Sequence, residues 1–450
     1  GVQTCALPIC RLRGSAQITE HLKELEEEVG EGRLHVHEAS CLGRCDRAPV
    51  MIIEGAGDRQ SLFVERKVEE YRSIVESVLK GNSPTENYDS ETAKNTLDRS
   101  EIDCYRTGDG SEVEPKYSAI REFLQDPSTE RVIQSLKTAG LLGMGGAGAP
   151  AYSKWDETRM APGDTKYVVC NADESEPGTF KDREILLAAP HLVIEGMTMA
   201  ALVTGAKQGY IYIRHEYQEQ ILRLRQAIKE AEKIGALGTN IFQSGRTFRL
   251  EVFVSPGGYV CGEQTALIEA LEGKRSEPRN RPPELQTNGL YDQPTILNNV
   301  ETFAWVPSIL LRKPNEEQLQ KSGSQTPQPN SDLGGLWFKF SGRNRAKGKR
   351  FFSISGDLNR PGAYEVPCGI TLGELIDDYA GGMKDGVPLL AVALSGPSGG
   401  FLPALWSDAK IKVLDEDGNE TGKFKFPHLD RKSTRLNSSH EWISRMPSSA

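Results

Sequence analysis

Four cysteines near the start of the chain are spaced for metal or redox work: Cys5-x4-Cys10, thirty residues, then Cys41-x3-Cys45 in "CLGRCDRAPVM". Two loop pairs separated by a helix and a strand can converge four thiolates on one iron–sulfur cluster. Zinc more often uses C-x2-C pairs and is the lesser reading. Cys104, Cys170, Cys261 and Cys368 have no such spacing and read as buried thiols. A second group is "GLLGMGGAGAPAYSKW", where Gly143, Gly145 and Gly148 fit G-x-G-x-x-G and Lys154 follows closely. A Rossmann loop must follow a strand, whereas "STERVIQSLKTAG" ahead of this one reads as a helix capped by Ser128 and ended by Gly140. The Rossmann context fails. The loop reads instead as a phosphate cradle of backbone N–H groups, Gly146 included, with Lys154 as counter-charge.

Three further stretches carry polar groups in suggestive places. "CNADESEPG" brings Asn171, Asp173, Glu174 and Glu176 to the end of a strand, where open α/β sheets put ligands. Its bland reading is a solvated acidic turn. "PGGYVCGEQTALIEALEG", with Tyr259, Gly262, Glu263 and Gln264, reads as a glycine turn feeding a helix whose N-terminus offers an anion site. The bland alternative is a tight turn into a core helix. Asn298 and Asn299 in "PTILNNVETFAWVP" read equally well as turn formers.

The elements that must position these residues alternate in type. Residues 1–82 hold helical "AQITEHLKELEEEVG", short strands in "RLHVHEAS", "PVMIIEG" and "SLFVER", and a closing helix, "KVEEYRSIVESVLKG". Residues 83–100 are polar and read as a linker. Over 101–312, strands ("KYVVCNA", "GYIYIR", "RLEVFVS") alternate with helices ("HLVIEGMTMAALVTG", "EYQEQILRLRQAIKEAEKIG"), which argues an α/β fold. Residues 313–348 read as a second linker or an insertion, and 349–425 as a small α+β domain. The stretches at 1–9 and 430–450 look foreign to the rest and resemble translated cloning sequence, so the natural protein is expected to extend beyond both ends.

The net charge of −9 argues against a nucleic-acid binder, and no apolar run reaches the length of a membrane span. The expectation is a cytoplasmic protein, open to docking on a membrane complex through a partner.

The first domain's "CRLRGSAQI" and "CLGRCDRAP" resemble the thioredoxin-like [2Fe–2S] ferredoxin domain of the 24-kDa-type subunit of respiratory NADH dehydrogenase. "GMGGAGAPAYSKW", "VVCNADESEPGTFKDREIL", "SPGGYVCGEQTALIEALEGKRSEPRNRPP" and "PTILNNVETFAWVP" resemble its flavin-bearing 51-kDa-type (NuoF-like) subunit. Residues from about 350 to 410 resemble that subunit's soluble-ligand-binding β-grasp (SLBB) domain. The same fusion is seen in β subunits of NAD-dependent formate dehydrogenases and in diaphorase subunits of hydrogenases. The resemblance implies a thioredoxin-like domain, a Rossmann-like α/β FMN domain and a β-grasp domain in that order. It implies a [2Fe–2S] cluster on Cys5, Cys10, Cys41 and Cys45. FMN would lie on Gly143, Gly145, Gly146, Lys154, Asn171, Asp173, Glu174, Tyr259, Gly262, Glu263, Asn298, Asn299 and Thr302. NAD(H) would sit beside Glu176 and Gln264. Hydride would pass directly to the flavin with no side chain as acid or base, and single electrons would pass to the other subunits of a larger complex. The family's C-terminal [4Fe–4S] domain is expected to be absent, since no cysteine follows Cys368.

The departures from the family bear on the nucleotide. Met144 and Ala149 stand where the glycine loop commonly has Arg and Phe, and the rings that sandwich adenine are replaced at Ala149, Glu157 and Glu284. Gln264 replaces the second acid of G-E-E-T. Losing a stacking ring costs on the order of 1 kcal/mol each. Two redox readings follow: an NADH-oxidising (or NAD⁺-reducing) electron-input subunit, and an FMN/iron–sulfur module fed by a protein partner with NADH binding lost. A partner-binding scaffold on the β-grasp domain is the non-redox alternative.

Overall fold

The computed structural model describes residues 2–82, 117–322 and 334–429, apart from 6–9, 12, 40, 56–59, 395–400, 404–410, 415–419 and 426–427. The stretch read as a linker at 83–100, Cys104 and the final 430–450 lie outside the described residues.

The first domain runs β1 (Val2–Cys5), α1 (Ser15–Val29), β2 (Val36–Ala39), β3 (Val50–Glu54), β4 (Gln60–Val64) and α2 (Val68–Leu79). In α1, Ile18, Leu22 and Leu25 fall on one face and pack with Val36, Phe63 and Tyr71, and Gly30 ends the helix at φ 83°. The sheet order is β2-β1-β3-β4, with β1 parallel to β2 and antiparallel to β3. The opening residues, foreign-looking in composition, thus form a strand hydrogen-bonded on both sides, and Val2 is buried. Four residues are too few for a period-two pattern to announce such a strand.

The middle domain begins with α3 (Ser118–Gln125), α4 (Thr129–Ala139) and α5 (Ala151–Met160). Ser128 caps α4 by accepting the Arg131 N–H at 3.2 Å, and Gly140 closes it with a left-handed φ of 64°. There follow β5 (Tyr167–Ala172), α6 (Lys181–Ala188), α7 (Pro190–Thr204), β6 (Gln208–Ile213), α8 (Gln218–Lys233) and β7 (Arg249–Val254). The domain continues with α9 (Gln264–Leu271), α10 (Leu285–Asn288), β8 (Thr295–Asn299) and α11 (Val300–Leu311). The strands are parallel in the order β7-β6-β5-β8. The chain builds outward from β5 to β7, then returns to β5's other edge. The topological switch point therefore lies between β5 and β8. Helices α7 and α11 are apolar nearly all round and buried accordingly; they approach so closely that a Cβ at Gly196 would lie 2.1 Å from the Phe303 carbonyl oxygen.

The stretch after α11 adds α12 (Glu316–Ser322) and α13 (Leu336–Lys339). At α13 the linker reading gives way to core. Trp337 and Phe338 are buried beside Trp305, with ring centroids 6.4 and 5.0 Å away, and the Trp337 indole donates to the Ser308 carbonyl at 3.0 Å. Two adjacent rings in a four-residue helix leave no periodic trace. The last domain opens with the antiparallel pair β9 (Lys349–Ile354) and β10 (Gly362–Pro367), followed by a helical segment whose start Thr371 and Glu374 cap reciprocally.

Among the described residues no single helix is long and apolar enough to cross a membrane.

Candidate functional site

The C-terminal ends of β5 and β8 are direct neighbours, Asn171 pairing with Asn299 and Cys170 with Asn298. Asn171 ties two loops together: its amide donates to the Gly262 carbonyl at 2.9 Å and accepts the Asp173 N–H at 3.0 Å. Asn299 caps α11 by accepting the Glu301 N–H at 3.0 Å, and it donates to Asp182 at 2.6 Å. Asn298 and Asn299 thus end β8, with Asn299 opening α11, while Asn171 makes the Asx-type turn that starts the acidic loop. Asn298 is buried with its Oδ1 lacking a hydrogen-bond partner. An orphaned buried acceptor is costly, and a donor on a ligand at the switch point can satisfy it.

The glycine loop lies over this edge. Gly143 N–H donates to the Ala149 carbonyl at 2.7 Å, closing the loop, and Met144 N–H donates to Thr302 Oγ1 at 2.9 Å, anchoring it to the first turn of α11. A Cβ on Gly145 would come 3.2 Å from Asn299 Cβ, and Gly146 is buried at φ 113°. Lys154, on α5, brings its Nζ 3.4 Å from the Leu297 carbonyl and 3.3 Å from the Gln264 side-chain amide. That sets one ammonium beside the ends of the parallel strands, where a phosphate's charge can be matched.

The reading of α9 as an anion site needs correction. Glu263 is its N-cap, and its carboxylate accepts the N–H groups of Thr265 and Ala266 at 2.8 and 2.9 Å. The chain's own acid fills the place a bound anion would take. Arg281 pairs with the same Glu263 at 2.9 Å. Nearer the surface, the half-exposed Tyr259 donates its hydroxyl to Glu176.

Two of the acidic loop's three carboxyls, Asp173 and Glu174, are buried rather than solvated. Burial pushes Asp173 up to about 6. Glu174 turns inward and accepts the N–H groups of Asp182 and Arg183 at 2.9 and 3.1 Å and the Tyr217 hydroxyl at 3.1 Å; burial pushes it up to about 8. Below it, Lys181 meets Asp182 at 2.6 Å, Glu301 at 2.9 Å and Asn299 Oδ1 at 3.2 Å. Burial disfavours that ammonium, but the flanking carboxylates hold it charged. Lys181, Asp182, Arg183 and Glu184 are all buried. Four consecutive charges usually mark a solvated face, so the sequence offered no cue to this network.

In the first domain, Cys41 and Cys45 are buried with their sulfurs 3.9 Å apart. Two thiolates on one tetrahedral metal with bonds of about 2.3 Å stand about 3.8 Å apart, so the pair fits one end of a cluster site. The Cys45 hydrogen bond brings Cys41 down to about 6, against burial and with help from the Arg214 charge, while the same bond and burial push Cys45 up. Gly43 N–H points at Cys41 Sγ at 3.3 Å. Cys10 is also buried. Cys5 ends β1, and its side chain lies outside the described residues. Among the described residues no three His, Cys, Asp or Glu side chains gather to hold a metal ion.

The cysteine loop is seated on the middle domain by residues the sequence did not single out. Arg183 donates to the Gly43 carbonyl and pairs with both Asp46 oxygens at 3.1 Å. Arg214 donates to the carbonyls of Cys41 and, at 2.6 Å, of Glu174. The Tyr217 ring fills the space over Gly43, where a Cβ would lie 2.6 Å from it. Of the three positions without a ring, Ala149 closes the glycine loop, Glu157 is exposed on α5, and Glu284 is exposed at the N-cap of α10.

Comparison with known proteins matches residues 1–78 to the thioredoxin-like [2Fe–2S] ferredoxin model, 136–308 to the Nuo51 FMN-binding domain and 351–402 to the SLBB domain. The chain is thus a fusion of these three domain types in that order. Among its relatives, an NADH-quinone oxidoreductase subunit of Rhizobium meliloti (strain 1021) is 40% identical over 67% of this chain and 65% of the relative. The NADP-reducing hydrogenase subunit HndC of Solidesulfovibrio fructosivorans is 42% identical over 64% of this chain and 54% of the relative. The chain therefore spans somewhat less than two thirds of the curated relatives it matches. A solved NAD⁺-reducing [NiFe]-hydrogenase has a chain 31% identical with a TM-score of 0.70, covering 90% of this chain and 64% of that one.

Proposed function

We propose that this chain is an electron-input module in which NADH reduces FMN on the middle domain and electrons leave singly through a [2Fe–2S] cluster on the first. It works in the cytoplasm beside the other subunits of a multi-subunit NADH dehydrogenase, formate dehydrogenase or hydrogenase complex. One observation carries this reading: the cysteine loop of Cys41 and Cys45 is seated directly on the acidic loop at the Asn171–Asn299 switch point, with Arg214 bonding the carbonyls of both Cys41 and Glu174. FMN, when bound, takes a hydride from nicotinamide and gives electrons up one at a time. Lys154 supplies the phosphate counter-charge, and Asn298 Oδ1 supplies an acceptor that otherwise goes unmet. Gly145 keeps the loop close to Asn299. Tyr259 and Glu176, bonded to each other near the surface, stand on the side from which the nicotinamide would approach. The carboxylate of Glu174 is fully engaged inside the protein, so its part is to shape the loop.

Anaerobic titration with NADH tests the proposal. Bleaching of flavin absorbance near about 450 nm supports it, and a flavin reduced by dithionite but untouched by NADH overturns it.

The absence of a ring at Ala149, Glu157 and Glu284 favours a second reading, in which a protein partner supplies the electrons. Restoring Phe at 149 and 284 together is expected to lower the KM for NADH severalfold if adenine stacks there. An unchanged KM, with a parent that NADH does not bleach, favours the partner-fed module.

A further inference from the structure

Arg214 follows the end of β6 and is 2% exposed, yet every arm of its guanidinium is engaged. Nε and Nη2 pair with the two Glu216 oxygens at 3.0 and 2.8 Å. Nη2 also donates to the Cys41 carbonyl, and Nη1 donates to the Glu174 carbonyl at 2.6 Å. One rigid, planar cation thus faces the cysteine loop on one side, the acidic loop on another and a single counter-charge on the third. The Tyr217 ring lies against it, with the guanidinium 5.0 Å from the ring centroid, and closes the space over Gly43.

A cluster that accepts an electron gains one negative charge. Cluster potentials follow net charge and hydrogen bonding around the sulfurs, and a fixed cation in a dry setting acts far more strongly than one in water. Of the two arginines that grip the cysteine loop, Arg183 reaches Gly43 and Asp46, and only Arg214 bonds the carbonyl of a cysteine.

We propose that Arg214 is a positioning residue that fixes the cysteine loop against the acidic loop of the middle domain and holds the potential of the [2Fe–2S] centre up, with Glu216 setting how much of its charge is felt. The inference rests on the cluster assignment proposed above. In the half-reaction one electron from an external reductant enters the cluster, no bond breaks, and the guanidinium stays protonated throughout.

The test is a dithionite titration of the full chain, purified anaerobically, with the reduced-cluster EPR signal followed against potential. Arg214→Gln is expected to lower the midpoint by about tenfold in the one-electron equilibrium, about 59 mV. Arg214→Lys should restore most of that shift, because it keeps the charge. Glu216→Gln leaves Arg214 in place and should move the midpoint the opposite way, so it carries the test alone if Arg214→Gln does not fold. The inference is overturned if both Gln variants shift the midpoint in the same direction. It is overturned equally if Arg214→Gln lowers only the melting temperature and leaves the midpoint at the parental value. A parent with no [2Fe–2S] signal is a different failure, because it removes the cluster assignment itself.

Discussion

At the scale of single residues, the two candidate cofactor sites are held by few groups whose loss has separate signatures. Cys41 is buried, 3.9 Å from Cys45, and receives the Gly43 N–H. Serine is a poor substitute for a soft thiolate ligand, so Cys41→Ser is expected to abolish the EPR signal of the reduced cluster. A signal that persists would mean that other cysteines hold the iron. Lys154 is the cation set between the Leu297 carbonyl and Gln264 at the strand ends. Lys154→Ala should release FMN on gel filtration while the circular dichroism stays parental. Full retention of flavin would remove Lys154 from the phosphate site.

At the scale of elements, the seating of the cysteine loop depends on a space that only glycine leaves. Gly43 has φ 70° and no room for a Cβ beneath Tyr217, whose ring is itself fixed by the hydroxyl bond to Glu174. Gly43→Ala therefore combines left-handed strain with overpacking, at a cost of about 1–3 kcal/mol. The expected result is faster amide hydrogen exchange in residues 41–47 and around Tyr217, with exchange in α1 unchanged. Exchange that stays parental at both places would mean that the two loops do not depend on each other. The close approach of α7 and α11 at Gly196 obeys the same rule inside one domain, where two apolar helices meet backbone to backbone.

At the scale of the whole molecule, stability should depend on pH through acids that burial has raised. Glu195, on α7, accepts the N–H groups of Ala119 and Ile120 at 2.8 and 3.4 Å and so caps α3. Burial raises it from 4.5 to about 7. A carboxyl raised in the folded state adds stability that is fully present below its unfolded value and is lost as pH rises through the folded one. Glu195→Gln keeps an acceptor for the cap and has nothing to ionise. The variant should melt no higher than the parent at pH 5 and should exceed it at pH 8, by on the order of 2–3 kcal/mol. A difference that does not change with pH would mean that Glu195 does not titrate in this range.

The sequence by itself determined the α/β alternation, the caps at Ser128 and Gly140, the failure of the Rossmann context and the cysteine spacing. These are local: periodicity, cap chemistry and spacing act within a turn or two of chain. Asn171, Asn298 and Asn299 could be suspected from their stretches, but their meaning came from the parallel register that makes Asn171 and Asn299 neighbours across 128 residues. Only the tertiary structure decided that Lys181 to Glu184 are buried, that Glu263 caps α9 where an anion was expected, and that Trp337 belongs to the core. It alone brought Arg183, Arg214 and Tyr217 to the cysteine loop. Each of these depends on a partner far along the chain, and a charge or a ring carries no local mark of whether water or another side chain will face it.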